Sequence, residues 1–437
     1  MTFYSKDKSG VKVFHLLQAF FEEIKWGDEK SDLYYEDGLF VFEKIDLRLK
    51  TSEDYLVEIY EALEHHFKPL SQWGLLSGVR PLKLVHKERE AGKTREEIYF
   101  TLINSHKLAP KKARLLLEVL EAQEEIYRSD RDKLSLYISL PFCPSICSYC
   151  CFHTKLYNKD LAKVYLQRLI EDLAYAKRKI LEAKRKVDCI YLGGGTPWVI
   201  DEEDLEILLD SLSDFKELKE FTFEGGRVDG LSKGKAELVA SRVTRVCLNP
   251  QTLSKGLNPL VGRPEAEGLD QWIHFFKNRG SIVASDLIAG LPGESLETFK
   301  ASLNELISYK PDNITIHNLS LKKGASLKKL PHGDSVSSML DEAYSLLKTK
   351  DYKPYYIYRQ KMMVDRGENL GYETGGSPSI YNIRMMEDSH EILSLGSSAV
   401  SKKIREGELI RLSSPRDINL YIKEKDKSIE LINNFFD

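Results

Sequence analysis

The sequence lacks any long uninterrupted apolar segment and any excess of charge of one sign. None of its apolar stretches approaches the roughly 18 residues that a membrane-spanning helix needs, so we expect no membrane span. The 437 residues carry a formal net charge of −3, which argues against a general affinity for nucleic acid and other polyanions. Repeats and low-complexity segments are also missing.

The early apolar string "VFHLLQAFFEEI" resembles the hydrophobic part of a secretory signal, but the features that accompany such a signal are missing. It has no small-residue cleavage site and leads directly into acidic residues. We therefore expect an amphipathic helix here and a cytoplasmic protein. No segment indicates a strong self-association surface, so a monomer is expected.

Cysteine is scarce and unevenly placed. The chain has six cysteines, and four of them lie within nine positions of the string "FCPSICSYCC": Cys143, Cys147, Cys150 and Cys151. A disulfide framework would instead spread cysteine pairs along a short secreted chain. Clustered cysteines in an intracellular protein indicate metal binding or redox chemistry.

The spacing CxxxCxxC of the first three cysteines leaves two metal centres open. Zinc needs four ligands, and Cys151 or His153 could complete the set. However, structural zinc sites usually pair two short motifs, and no second motif is present, because Cys189 and Cys247 stand alone in apparent strands where we expect small buried side chains. An iron–sulfur cluster held by three thiolates would leave one iron open, which suits catalysis.

Strand-like and helix-like segments alternate after the charged boundary at residues 128–133. Alternation of this kind predicts parallel strands joined by crossover helices, and six units are fewer than the eight of a closed barrel. We therefore expect an α/β fold built on a partial, open (β/α)6 barrel. The six predicted strands are Leu134–Leu140, Val187–Leu192, Glu220–Glu224, Val243–Leu248, Ile282–Ile288 and Asn313–Leu319.

Three regions follow from this alternation. Residues 1–130, which include a hairpin pattern around Glu36, Asp37 and Gly38, predict an N-terminal α+β domain. Residues 131–330 form the barrel core. Residues 331–437 lose the alternation and predict a C-terminal α+β extension on the substrate side.

Polar or glycine-rich groups follow the predicted strands, where the catalytic groups of such folds collect. The cysteine loop follows the first strand, "GGGTP" follows the second and Gln251 follows the fourth, whereas Glu224 ends the third strand and the fifth carries Asp286. The glycine string fits neither GxGxxG nor GxxxxGK[ST], which argues against a phosphate-binding loop. These groups are predicted to converge on one face.

The motifs together resemble those of a known family. The strings "YISLPFCPSICSYC", "YLGGGTP", "FTFEGGR", "NPQTL", "LVGRP", "DLIAGLPGE", "YIYRQKMM", "SIYNI" and "LGSSAVSK" lie between residues 137 and 402. They resemble the radical S-adenosylmethionine (SAM) enzymes of the oxygen-independent coproporphyrinogen III oxidase group. The N-terminal "SGVRPLKLVHK" suits the HemZ-type coproporphyrinogen dehydrogenases in particular.

The resemblance implies cofactors and residue roles. A [4Fe–4S] cluster and SAM are implied, with Tyr137 at the catalytic centre near the substrate and Cys151 outside the ligand set. The implied cluster ligands are Cys143, Cys147 and Cys150. The implied SAM-binding residues are Gly194, Gly195, Thr196, Glu224, Gln251, Arg263 and Asp286.

The implied activity is the oxidative decarboxylation of two propionates of coproporphyrinogen III to vinyl groups, which gives protoporphyrinogen IX. A SAM-derived 5′-deoxyadenosyl radical starts the reaction, and an electron donor such as flavodoxin or ferredoxin is the implied partner. Ser139 replaces a histidine of the better-known oxidases, and Phe152 replaces a further cysteine. Candidate substrate contacts are Tyr355, Tyr356, Tyr358, Arg359, Lys361, Tyr381, Asn382 and Lys402.

Two alternatives share this core and stay open at the level of sequence. One is a haem chaperone that binds haem without decarboxylating anything. The other is a radical SAM enzyme that degrades haem.

Overall fold

The structure is a computed structural model that describes residues 1–29, 31–321, 325–327, 335–360 and 362–437. The chain forms two compact units. The first comprises Met1–Glu121 and Tyr358–Glu368, and the second Ala122–Ile357 and Asn369–Asp437. The predicted boundary between residues 330 and 331 lies outside the described residues, so the three-part division stays a prediction.

The first unit is an α+β structure around an apolar core. Strands β3 (Leu33–Glu36) and β4 (Leu39–Phe42) form the predicted hairpin, in which Asp37 and Gly38 both adopt positive φ angles. Phe40 and Leu63 are fully buried in its core. The elements from this part of the chain are β1 (Thr2–Phe3), α1 (Gly10–Leu17), β2 (Lys25–Trp26), β3 (Leu33–Glu36), β4 (Leu39–Phe42), β5 (Leu47–Lys50), α2 (Tyr55–Glu64), α3 (Leu82–Glu90), α4 (Arg95–Asn104) and α5 (Pro110–Arg128).

The second unit contains the predicted array of alternating strands and helices. All six predicted strands are confirmed, and they pair in parallel in the order in which they occur along the chain. The elements are β6 (Leu134–Leu140), β7 (Phe142–Cys143), β8 (Lys155–Leu156), α6 (Lys159–Glu182), β9 (Val187–Gly194), α7 (Glu202–Asp210), β10 (Glu220–Gly226), α8 (Lys233–Ala240), β11 (Arg245–Leu248), α9 (Leu257–Leu260), α10 (Leu269–Lys277), β12 (Ile282–Ala289), α11 (Leu296–Ser308) and β13 (Asn313–Asn318).

The C-terminal strands extend both edges of this sheet. The elements are α12 (Val336–Lys348), β14 (Lys353–Tyr358), β15 (Asn369–Glu373), α13 (Ile380–Glu387), β16 (Ile392–Leu395), β17 (Val400–Arg405), β18 (Glu408–Ser413), α14 (Ile418–Lys423) and α15 (Lys425–Phe436). The order of the strands is β14-β15-β13-β12-β11-β10-β9-β6-β16-β17-β18, and β16 joins β6 in parallel.

Alternation along each strand decides which side chains can reach a site. In β6, Leu134, Leu136 and Ile138 are fully buried on one face, and Tyr137 lies on the opposite face with Ser139. Parallel strands are buried on both faces and bring their carboxyl ends to one edge. Within the described part of the chain, no helix is long and apolar enough to span a bilayer.

Candidate functional site

The cysteine loop connects β6 to α6 at the carboxyl end of the first parallel strand. Its two ends are joined because β7 pairs with β8, and the Tyr157 amide donates to the Cys143 carbonyl at 2.9 Å. Its four cysteines are unpaired by disulfides and half-buried, whereas Cys189 and Cys247 are buried in strands as predicted. In the described residues, no group of His, Cys, Asp or Glu side chains is arranged to hold a single metal ion.

The thiols of this loop lie in a partly desolvated setting. Burial raises the pKa of the Cys150 thiol to about 11. Burial also raises the pKa of Cys143, although the hydrogen bond of Thr196 and the positive charge of Arg227 oppose that rise. Loss of the thiol proton is therefore unfavourable in this loop, and a cofactor that binds the thiolates would offset that cost.

Arg263 lies against the cysteine loop, as its predicted role requires. It is 9% exposed, and its Nη1 is 3.9 Å from Cys147 Sγ and 3.3 Å from the Tyr149 hydroxyl. Its Nη2 donates to the Asn249 carbonyl at 2.6 Å, and its buried Nε has no acceptor among the described residues. The Nε donor thus remains for a ligand.

The glycine turn after β9 also packs on the cysteine loop. Gly194 has a φ of 115°, and the Gly195 amide donates to the Leu140 carbonyl at 2.8 Å. A Cβ at Gly195 would lie 2.3 Å from the Phe142 carbonyl oxygen, so this glycine is needed for contact with the loop itself. Thr196 Oγ1 lies 3.7 Å from Cys143 Sγ.

Three ionisable side chains lie in the carboxyl-terminal halves of β10, β12 and β13: Glu224, Asp286 and His317. Burial, and next the charge of Asp286, raise the pKa of Glu224 to about 7. His317 Nε2 lies 3.2 Å from Asp286 Oδ2. Glu224 and Asp286 were predicted here. His317 was not singled out, although its place near the end of the sixth predicted strand is the signal that could have found it.

Gln251 holds a backbone conformation that is uncommon for a residue with a side chain. Its φ is 68°, its amide donates to the Asp286 carbonyl at 3.0 Å, and its carbonyl accepts from the Ile288 amide at 2.8 Å. Its buried Oε1 and Oδ1 of Asn249 have no donor in the part of the chain that the structure describes. Buried acceptors without donors cost free energy, so both atoms indicate a polar ligand.

Three tyrosines stack on the same side of the sheet. The rings of Tyr191 and Tyr381 are 4.4 Å apart with an interplanar angle of 25°. Tyr137 stacks beside both, at 6.1 Å from Tyr191 and 6.2 Å from Tyr381. Tyr381 comes from α13, so the "SIYNI" string brings an aromatic ring to the predicted catalytic Tyr137. Tyr381 is buried, whereas Tyr137 and Tyr191 are partly exposed, and the exposed parts of these two rings suit a flat apolar ligand.

The cations predicted to meet substrate carboxylates serve the fold instead. Arg359 lies in the first unit and donates to the carbonyls of Leu76, Arg366 and Gly367. Lys402 is 2% exposed and donates to Asp388 at 2.6 Å. The prediction for both was wrong, because sequence does not show whether a basic side chain has an internal partner.

The other predicted substrate contacts divide between the two units. Tyr355 and Tyr356 are buried in the second unit, where the Tyr356 hydroxyl lies 3.2 Å from Thr315 Oγ1. Asn382 is half-buried on α13, and Tyr358 belongs to the first unit. Lys361 lies outside the described residues.

Comparison with known proteins decides the family. Residues 137–306 match the model of the radical SAM superfamily. The chain is 32% identical over 399 residues to the oxygen-independent coproporphyrinogen-III oxidase-like protein HemZ of Bacillus subtilis, which covers 85% of this chain and 79% of that protein. The chain belongs to the HemZ family.

Relatives that share a lower sequence identity with this HemZ-family chain include proteins named HemW and HemN. The haem chaperone HemW of Lactococcus lactis is 26% identical over 324 residues, which cover 69% of this chain and 84% of that protein. The structure of coproporphyrinogen III oxidase (HemN) from Escherichia coli superposes with a TM-score of 0.55 at 20% identity, over 71% of this chain and 72% of that one. The latter likeness confirms the fold.

The cofactors of the HemZ-family chain are those of its superfamily, a [4Fe–4S] cluster and SAM. The site fits them. Three partly exposed thiols on one loop form a suitable donor set for a cluster. The unpartnered Arg263 Nε beside that loop offers a donor to a polar ligand such as SAM, and the unpartnered Asn249 Oδ1 and Gln251 Oε1, which follow β11, offer acceptors.

Proposed function

We propose that this protein is an oxygen-independent coproporphyrinogen III dehydrogenase. Its named HemZ relative supports that reaction class. The observation that carries the proposal is the tyrosine stack of Tyr137, Tyr191 and Tyr381 on the barrel face that also bears Glu224. Such a stack suits a flat macrocycle held beside the cofactor.

In this proposal, Cys143, Cys147 and Cys150 ligate the cluster and Cys151 does not. The half-buried loop keeps the three thiols beside Arg263, whose free Nε is available to the SAM carboxylate. Thr196 adds a hydroxyl next to Cys143.

The remaining SAM contacts come from the strand ends. Glu224 and the unpartnered Oε1 of Gln251 would accept hydrogen bonds from the ribose hydroxyls. Asp286, held by His317, would face the same ligand. Gly194 and Gly195 keep the turn after β9 close to the cysteine loop, beside the methionine end of SAM.

When bound beside a reduced cluster, SAM would supply the radical that abstracts hydrogen from the substrate. Each propionate loses one hydrogen atom, one electron and CO₂, and becomes a vinyl group. The hydrogen atom ends in 5′-deoxyadenosine, and the electron passes to an external acceptor. A one-electron donor such as flavodoxin or ferredoxin provides the electron that cleaves each SAM. Two such events yield protoporphyrinogen IX.

An anaerobic turnover tests this proposal. The reconstituted protein receives SAM, a low-potential reductant, coproporphyrinogen III and a cell extract as electron acceptor, and the products are followed by mass spectrometry. We expect loss of two CO₂ from the tetrapyrrole together with two 5′-deoxyadenosine. Cys147→Ala should abolish both products and lower the iron content, whereas the matched variant Cys151→Ala should keep its cluster.

A haem chaperone is the second candidate, and one observation favours it. Arg359 and Lys402, the cations expected at the substrate carboxylates, are held by internal partners. HemW relatives also match most of the chain. Haem binding without decarboxylation, measured by absorbance titration of the same preparation, would support this candidate and contradict the dehydrogenase.

A further inference from the structure

Arg227, the last residue of the "FEGGR" string, has a role that the SAM contacts do not explain. It follows the end of β10 and is 6% exposed. Its Nε and Nη2 donate to the two carboxylate oxygens of Asp229 at 2.8 and 2.7 Å. Its remaining Nη1 donates to Ser145 Oγ at 2.5 Å, and Ser145 lies between Cys143 and Cys147.

Ser145 also contacts a second segment, the one that precedes Arg263. Its hydroxyl donates to the Gly262 carbonyl at 2.9 Å, and the Ser148 amide donates to the Val261 carbonyl at 3.0 Å. The segment that carries Arg263 is therefore tied to the cysteine loop at two points. Arg227 donates to Ser145, whose hydroxyl forms the first of these two connections.

The guanidinium also acts on the thiols through its charge. Its Nη1 lies 2.5 Å from Ser145 Oγ, and Ser145 is two residues from both Cys143 and Cys147, so the charge lies close to the cysteine loop. A buried cation lowers the energy of a nearby negative charge, and reduction adds one negative charge to an iron–sulfur cluster. Asp229 partly cancels the cation, because its carboxylate occupies two of the guanidinium donors.

We propose that Arg227 is a positioning residue that fixes the cysteine loop through Ser145 and raises the reduction potential of the cluster, with Asp229 limiting that rise. The proposal rests on cluster ligation by Cys143, Cys147 and Cys150. It does not depend on the identity of the substrate.

The test is a redox titration of the reconstituted full chain, followed by electron paramagnetic resonance without SAM or tetrapyrrole, with iron measured per chain. Arg227→Gln removes the cation and should shift the midpoint potential to more negative values. Asp229→Asn removes the opposing anion and should shift it to more positive values. A residue with only a structural role would not produce opposite shifts.

Two further variants keep the test decisive if Arg227→Gln fails to fold or to hold iron. Arg227→Lys keeps the charge but cannot serve Asp229 and Ser145 together, so its potential should stay near that of the parent while iron retention falls. The matched control is Arg242, which pairs with Asp210. It precedes β11 and therefore lies at the opposite end of the strands, so Arg242→Gln should leave the midpoint potential unchanged.

Shifts of the same sign in Arg227→Gln and Asp229→Asn, or no shift in either, would overturn the proposal. Retention of the full cluster by Cys147→Ala would instead refute the proposed ligation. The two failures are therefore distinguishable.

Discussion

Two polar regions of the second unit differ in how their charges are met, and the first is partly exposed whereas the second is buried. The strand-end site comprises Cys143, Cys147, Cys150, Glu224, Gln251, Arg263 and Asp286. The α13 seam, where α13 packs on β6, β9, β10 and β11, comprises Asp188, Glu220, Arg245 and Arg384. At the site, acceptors lack donors and a carboxyl has a raised pKa. At the seam, each charge faces an opposite one.

The seam shows what a structural ion pair looks like in this fold. Both terminal nitrogens of Arg384 donate to Asp188, at 2.6 and 2.9 Å. Glu220 accepts from the Tyr381 and Ile380 amides at the start of α13 and from Arg245. The Nε atoms of both arginines lack acceptors among the described residues, but no charge there is left unpaired. The site differs from the seam in two ways: the acceptors of Asn249 and Gln251 have no donor among the described residues, and most of its side chains are partly exposed.

Breaking the seam should have the largest effect on stability. Arg384→Ala leaves Asp188, which is 1% exposed, without its counter-charge. We expect a loss of about 3–5 kcal/mol in the free energy of unfolding, measured by urea denaturation. The exposed pair Lys186–Glu217 provides the control, and Lys186→Ala should cost less than about 1 kcal/mol. A loss as small as the control's would contradict the distinction between the two regions.

Glu294 is an intermediate case, because it is buried and meets a hydroxyl but no cation. It is 3% exposed and accepts from Thr252 Oγ1 at 3.2 Å, and burial raises its pKa to about 8. In the unfolded chain the Glu294 carboxyl loses its proton above the ordinary pKa of glutamate, whereas in the folded chain it stays protonated until about pH 8. The stabilising contribution is therefore complete at low pH and is lost as pH rises through 8.

Glu294→Gln should remove this pH dependence. The variant should match the parent at pH 4 and exceed its stability by roughly 2–4 kcal/mol at pH 9. Urea denaturation at several pH values measures the difference, and Glu206→Gln on an exposed surface should leave the profile of the parent unchanged. Parallel profiles for parent and Glu294→Gln would show that Glu294 is ionised in the fold.

Gly195→Ala tests the packing of the glycine turn on the cysteine loop. The new methyl would meet the Phe142 carbonyl, and the turn cannot retreat without losing the bonds of Gly195 and Thr196 to the loop. We expect a cost of about 1–3 kcal/mol and weaker SAM binding. Gly78→Ala, which meets open space, should be neutral. Unchanged melting and SAM affinity in Gly195→Ala would show that the loop adapts freely.

Sequence predicted the strands and the residues that follow them because both depend on local patterns. Apolar residues predominate in β6 and β12, and polar groups lie within or just after the strands. The seam could not be predicted, since Asp188 and Arg384 are 196 positions apart. Lys402 and Arg359 were misassigned because the chain must fold before their internal partners come into contact with them.

Gln251→Ala should have the smallest effect on the fold and the most selective one on the site. The backbone bonds of Gln251 to Asp286 and Ile288 do not involve its side chain, and its Oε1 has no donor to lose. The free energy of unfolding should therefore stay within about 0.5 kcal/mol of the parent, whereas SAM should bind roughly three- to tenfold more weakly. Calorimetric titration of the cluster-loaded protein with SAM measures this.

Gln123→Ala is the control for that prediction, because the opposite result is expected: a loss of stability with no change in SAM affinity. Gln123 is fully buried, and its amide donates to the Tyr355 carbonyl at 3.1 Å. Its loss should lower stability by about 1–3 kcal/mol and leave SAM affinity unchanged, because the group left behind is an internal one. If Gln251→Ala instead destabilised the protein as Gln123→Ala does and bound SAM normally, an orphaned acceptor in this fold would no longer indicate a ligand.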